Sequence, residues 1–425
     1  MSAISASQAL GSSGARKALV LSAVVFYFVL PAFVLPARSQ QPLPDGNGKE
    51  TVQTVCAQCH GLETVTRQRY TPEEWRRVVN EMVAQGAPLT ADQAAVVSEY
   101  LARNFVGEPK PPAVVIAGPV EVTIKEWTVT PGARPHDPLV APDGSIWYTG
   151  QRGNLLGRFD HKTGQFKDYP LKTPDSAPHG LVADKEGNIW FTAIDGAYVG
   201  KLDPKTGAVA EYRMPDPEAR TAHTPIFDQK GTLWFTMSGS NRVGRVDPKS
   251  GEVKLATPPT PNANPYGIVV NSKGIPFFTL FRTNKLASID PDTMEIREYV
   301  LPNPDTRPRR IAVTSDDVLW YTDYARGYLG RLDPKTGKAA EWASPSGSKS
   351  QPYGITRVGN IIWYSESGVQ PNTVVRFDPA TEKFQTWVIP SGGGVVRHMV
   401  AAPDGNLWLA CSGVNGIALV QIKNN

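Results

Sequence analysis

Cysteine is scarce: Cys56, Cys59 and Cys411 are the only three in 425 residues. A structural zinc site needs four ligands, and no second cysteine pair exists to complete one around Cys56 and Cys59. Cys411 lies in the C-terminal apolar pattern, where a cysteine serves as a small hydrophobe. Charge of one sign is lacking too. A net charge of +4 with 20% charged residues implies no polyelectrolyte partner. No basic run occurs, and no interleaving of aromatic and basic residues, so nucleic-acid binding is excluded as a reading. Histidine is rare as well, and four of the six histidines are His136, His179, His223 and His398.

What is abundant is repetition. The aromatic before an "F/Y-T" step recurs at Trp147, Trp190, Trp234, Phe277, Trp320, Trp363 and Trp408, spaced 43, 44, 43, 43, 43 and 45 residues apart. A fixed period in that range marks a solenoid, propeller or array. One unit, Ala177 to Pro215, reads as four short strands: Gly180 to Ala183, Asn188 to Ala193, Tyr198 to Leu202 and Val209 to Tyr212. They are separated by Asp, Pro and Gly clusters, the pattern of a meander, and four strands per repeat is a propeller blade. The last unit stops at Asn425 without an outer strand, while Ile124-Lys125-Glu126-Trp127 copies the outer-strand pattern of Ile296-Arg297-Glu298-Tyr299. The N-terminal strand is therefore expected to complete the last blade, closing seven blades into a ring without exposed edges.

The chain ahead of the repeats is short. Arg16 and Lys17 precede an apolar run from Ala18 to Leu35, which reads as a secretory signal with a long n-region. The competing reading is a retained membrane anchor, since the run nearly spans a bilayer despite Pro31 and Pro36. Both readings put the mature chain outside the cytoplasm, in the periplasm. Cys56-Ala57-Gln58-Cys59-His60 then matches the attachment signature of c-type haem. Two thiols one turn apart reach the two vinyl groups, and His60 presents its imidazole to the iron. A disulfide or a thiol redox pair are the plainer alternatives. Thr71 to Glu74 and Thr90 to Gln93 are capping boxes, each opening a helix with an apolar stripe. The segment 45–107 resembles a small class I cytochrome c domain. So short a chain buries little core alone, and a haem would supply apolar surface. Met82 is the only methionine between Cys56 and the repeats and His60 the only histidine, so Met82 is the candidate sixth ligand. The alternative is an open iron, with catalysis at the haem. Residues 108–119 read as a proline-rich, semi-rigid linker.

Stepping back 11 residues from each blade aromatic, or 10 in the sixth unit, gives one position per blade: His136, His179, His223, Tyr266, Arg309, Tyr353 and Arg397. These start the strand nearest the channel and are expected to form one ring at its mouth. Three histidines in one register on successive blades mark a shared role. Arg134, Arg220 and Arg307 come just before the ring positions and Arg310 just after, while Arg152, Arg282 and Arg326 fall in loops on the same face. Together they predict a positive funnel for a small anionic ligand. Asp137, Asp195, Asp323 and Glu366 are the carboxylates within reach.

The motifs "PHGL", "PYGI", "GNIWFT", "VGRVDPKSG" and "REYVLP" resemble the virginiamycin B lyase (streptogramin lyase) family of seven-bladed propellers, over Val120 to Asn425. The resemblance implies elimination across the ester C–O bond of a cyclic depsipeptide, with Mg²⁺ and a His/Glu site at the channel mouth. His136, His179 and His223 take the family's ring position, as the catalytic candidates, and Tyr266, Arg309, Tyr353 and Arg397 the substrate-binding candidates. The chain departs in its acids: the family's "E-P-H" reads Ala177-Pro178-His179 and Arg134-Pro135-His136 here. The expected fold is an all-β seven-bladed β-propeller at 120–425 preceded by a small all-α cytochrome c-type domain. Three functions remain open. The first is an exported c-type cytochrome whose propeller binds or oxidises a small anionic substrate or binds a redox partner protein. The second is a Mg²⁺-dependent lyase of a cyclic ester. The third is a binding module without catalysis.

Overall fold

The repeat closes as seven antiparallel four-stranded sheets. The computed structural model describes residues 43–58, 61–66, 68–84 and 86–423. The apolar run 18–35, Cys59 and His60 lie outside the described residues. The unit beginning at Ala177 has strands Pro178–Ala183, Ile189–Ala193, Tyr198–Leu202 and Val209–Arg213, within two residues of the sequence reading. Seven inner strands face the channel: Pro135–Val140, Pro178–Ala183, Ala222–Phe227, Pro265–Val270, Pro308–Val313, Pro352–Val358 and Val396–Ala401. The last blade is completed by Glu121–Thr128, which pairs antiparallel with Gly416–Lys423 along its whole length.

Each blade buries its aromatic against the next blade. Trp147 packs with Leu181, Ile189 and Phe191, and Trp190 with Leu233 and Phe235. The indole N–H is anchored locally, Trp190 Nε1 donating to Asp184 at 2.8 Å and Trp234 Nε1 to Asp228 at 2.9 Å. The glycine of "V-G-K/R" is required by the same packing. A Cβ on Gly200 would stand 2.2 Å from the Phe191 ring of the neighbouring strand.

The threonine of "F/Y-T" ties blade to blade. Thr192 Oγ1 accepts from Gly180 N at 3.0 Å and donates to His223 O of the next blade at 2.6 Å. Thr149, Thr236, Thr279 and Thr322 repeat this toward His179, Tyr266, Arg309 and Tyr353, at 2.5 to 2.9 Å. Ser365 makes a longer version to Val396 O at 3.4 Å. The closing blade has Ala410 at this position and no hydroxyl.

Ahead of the propeller lie helices α1 (Lys49–Thr54), α2 (Glu63–Thr66), α3 (Pro72–Ala84) and α4 (Ala91–Asn104). Both capping boxes form, Thr71 with Glu74 and Thr90 with Gln93. Trp75 and Val79 of α3 and Val97 and Leu101 of α4 are buried, and Trp75 Nε1 donates to Phe105 O at 2.9 Å. The linker is not a free spacer. Gln370 N donates to Pro111 O at 2.9 Å, Ile116 N to Thr386 Oγ1 at 2.7 Å, and Thr386 N to Ile116 O at 3.0 Å. Proline removes N–H donors but leaves carbonyls, and the sixth blade uses these to bind the strap. No helix among the described residues is long and apolar enough to cross a membrane.

Candidate functional site

Every inner strand carries a β-bulge at the same place, for example between Pro135 and Pro138 and between Pro308 and Ile311. A bulge sets two residues of one strand against one of its partner. Each blade therefore offers a pair to the channel: His136-Asp137, His179-Gly180, His223-Thr224, Tyr266-Gly267, Arg309-Arg310, Tyr353-Gly354 and Arg397-His398.

The seven register residues do come together, but inside the channel and not at an open mouth. His136, His179 and His223 are 2%, 3% and 2% exposed. Their rings stack in sequence at centroid distances of 3.6 and 3.8 Å, and His223 continues onto Tyr266 at 3.9 Å. Seven converging strands leave so little bore that the side chains fill it. Burial pushes the His136 imidazole down to about 4 and holds His179 and His223 well below the usual histidine value, so all three are neutral at pH 7. His136 Nδ1 lies 2.8 Å from Asp137 Oδ1.

The opposite side is aromatic and cationic. The Tyr266 and Tyr353 hydroxyls share a hydrogen bond of 2.7 Å. Arg309 Nη2 donates to Tyr353 Oη at 3.0 Å and to Tyr266 Oη at 3.2 Å. The Arg309 guanidinium stands 3.7 Å from the Tyr353 ring centroid and 4.2 Å from that of Tyr324, with Phe281 at 5.1 Å. Burial raises the Tyr353 phenol, but Arg309, Arg397 and Arg310 outweigh it and bring it down to about 8. Arg310, 1% exposed, spans the bore to Asp137 Oδ1 at 2.9 Å and Thr224 Oγ1 at 3.3 Å. Burial opposes the charge on Asp137, yet Arg310 and the flanking histidines hold its carboxyl well below the usual range.

The other carboxylates within sequence reach are not at the ring's disposal. Glu366 accepts from Ser344, Ser346 and Thr373. Asp323 accepts from Arg307 N and pairs with Arg326 at 3.2 Å. Asp195 is exposed in a loop near Arg152. The sequence reading did not find Phe281 and Tyr324, the first residues after their blades' second strands; their aromatic character at a loop start was the available signal. His136, Asp137 and His179 each offer one ligand atom, all within 4.8 Å of one another, the one cluster among the described residues able to hold a metal ion.

The linker reaches the face where these loops open. Lys110 donates to Ser367 O and Gly394 O, at 3.2 and 3.0 Å, both in loops of that face. Tyr70 and Arg77 lie close enough to act electrostatically on Arg134, which precedes the first ring position.

A seven-blade ring with this repeat and this inner-strand register has a counterpart among known families. The virginiamycin B lyase family model matches residues 119–277 and 252–425. The chain belongs to the virginiamycin B lyase family. A streptogramin B lyase structure superposes with a TM-score of 0.65 at 24% identity, covering 71% of this chain and 98% of that one. Virginiamycin B lyase from Staphylococcus aureus does so equally, at 0.65 and 24%, covering 71% and 99%. Kuenenia stuttgartiensis hydrazine synthase matches at 0.57 and 14%, covering 70% and 97%. These likenesses establish the propeller of the virginiamycin B lyase family member. No curated protein matches the chain.

Proposed function

We propose that this family member is an exported, periplasmic c-type cytochrome whose propeller binds a small anionic ligand or redox partner, and is not a base-catalysed lyase. The observation that carries the reading is a juxtaposition. The chain that joins the haem motif to the propeller reaches the channel face: Lys110 bonds loop carbonyls there, and Tyr70 and Arg77 lie near Arg134. A haem held by that segment would be tethered to the propeller that binds the ligand.

The residues fit a haem. Val78, Met82 and Val83 of α3 stay only half-buried, an apolar strip the helices alone do not cover, and a flat apolar ring would cover it. Cys56, with Cys59 and His60, would attach the haem, and Met82 would be its sixth ligand. Bound haem would supply one-electron transfer. Around the channel, neutral imidazoles and guanidiniums can orient an anion, while the carboxylates of Asp137, Asp323 and Glu366 are already paired.

The test is the visible spectrum of the purified, exported protein, oxidised and reduced, with and without carbon monoxide. A low-spin spectrum indifferent to carbon monoxide is expected, and Met82→Ala should convert it to high-spin. A protein purified without haem would overturn the reading.

Family membership favours a second reading, a lyase of a cyclic ester. The His136–Asp137–His179 cluster is its candidate metal site, but it suits Mg²⁺ poorly. Magnesium prefers an oxygen shell, whereas two of the three donors are nitrogen and the third is held by Arg310. Mg²⁺-dependent, haem-independent opening of a cyclic ester would establish this reading instead.

A further inference from the structure

The fourteen bulge residues that fill the channel include three guanidiniums and one carboxylate, and that carboxylate, Asp137, belongs to Arg310. Arg309 has only phenol oxygens for partners. Nε of Arg309 and of Arg397, and Nδ1 of His398, have no hydrogen-bond partner among the described residues. Buried cations demand a counter-charge. Arg309, Arg397 and His398 keep partial exposure, unlike the histidines 136, 179 and 223. The opening is therefore on the Arg309–Arg397 side, beside Phe281 and Tyr324.

One counter-charge is already built in. Tyr353 receives a hydrogen bond from Arg309, shares another with Tyr266, and has the Arg309 guanidinium against its ring. The preceding blade turns Arg309, Arg310 and Tyr324 toward it, the following blade Arg397 and His398, and Tyr266 meets it across the bore. The groups that face it and hold charge are all guanidiniums. Burial and Arg310 keep His398 neutral, and Asp137 is offset by Arg310.

Resting on the anionic-ligand reading above, we infer that the Arg309–Arg397 side of the channel binds one small carboxylate anion and that binding is coupled to uptake of one proton by Tyr353. Without a bound anion at alkaline pH, the Tyr353 phenolate is the counter-ion of Arg309. When a carboxylate arrives, a solvent proton returns the phenolate to phenol, and the carboxylate takes over the guanidiniums. One negative charge replaces another. A planar carboxylate matches the guanidinium fork, and the rings of Phe281 and Tyr324 favour an apolar body behind it.

The experiment is calorimetric titration of the full-length protein with benzoate, with inorganic phosphate as the comparison. Runs at pH 7 and pH 9 use buffers of different ionisation heat, which count the protons. Benzoate should bind about tenfold more weakly at pH 9 than at pH 7, with close to one proton taken up at the higher pH. Tyr353→Phe should bind equally at both pH values and take up none. Arg397→Gln should lose binding. Near-ultraviolet difference spectra should show one phenolate titrating ahead of the other tyrosines and suppressed by benzoate. Benzoate affinity independent of pH, a Tyr353→Phe protein that keeps the tenfold change, or phosphate preferred without proton uptake would overturn the inference. Absence of any anion binding beside a clear early phenolate would remove the anionic-ligand reading itself. Benzoate binding without that phenolate would remove only the proton coupling.

Discussion

Asp137 shows how a single side chain decides what the channel can do. It looks like a base, lying 2.8 Å from a histidine, yet it faces a guanidinium at 2.9 Å that has crossed the bore to reach it. Breaking a buried pair leaves the other charge uncompensated. Asp137→Asn should therefore destabilise the propeller by about 3–5 kcal/mol, seen as a lower urea midpoint with an unchanged slope. A loss below 1 kcal/mol would mean that Arg310 is otherwise satisfied. The ring residues were legible in the sequence because the repeat places them in one register. Their depth was not, because spacing fixes direction along a strand and says nothing of how wide the bore is. Nor was the Arg310–Asp137 pair, whose partners are 173 residues apart on non-adjacent blades. The cysteines and His60 of the haem motif remain a sequence-level observation.

At the level of the blade, the strands, their order and the closure by residues 121–128 were all legible, since the period sets them and an unpaired outer strand at one end requires one at the other. The bulge was not. It occurs in every blade, so it leaves the spacing unchanged while presenting two residues per blade where alternation offers one. The linker's prolines predicted a semi-rigid spacer, but its docking on the sixth blade uses backbone N–H and C=O groups, which nearly every sequence has. The threonine staple makes a direct prediction. Thr192→Val removes the acceptor of Gly180 N and the donor to His223 O together, and should cost about 1–3 kcal/mol in thermal or chemical unfolding. Thr192→Ser should retain most of that, because only the hydroxyl is used. Equal losses in both variants would assign the effect to packing instead.

The whole molecule carries its histidines as a pH limit. His136, His179, His223 and His398 are all lowered in the folded state, chiefly by burial. The unfolded chain binds protons near pH 6.5 while His136 in the folded protein waits until about 4. Stability is thus full above pH 6.5 and falls as the pH drops through this window, by about 1.4 kcal/mol per pH unit for each imidazole. Unfolding midpoints measured from pH 7 to pH 4.5 should show a slope approaching four protons; a flat profile would mean that the four rings titrate normally. The closing blade also sets an order of events. Glu121 pairs with Lys423, 302 positions later, so the first strand of the propeller has no partner until the chain has been made as far as residues 416–423. For all that time it is a naked edge. Its outward residues, Glu121, Thr123, Lys125 and Thr128, are polar, which discourages pairing with another chain. The helices ahead of it need nothing from the C-terminus to pack among themselves. They are free to pack as the chain is made, before the ring can close.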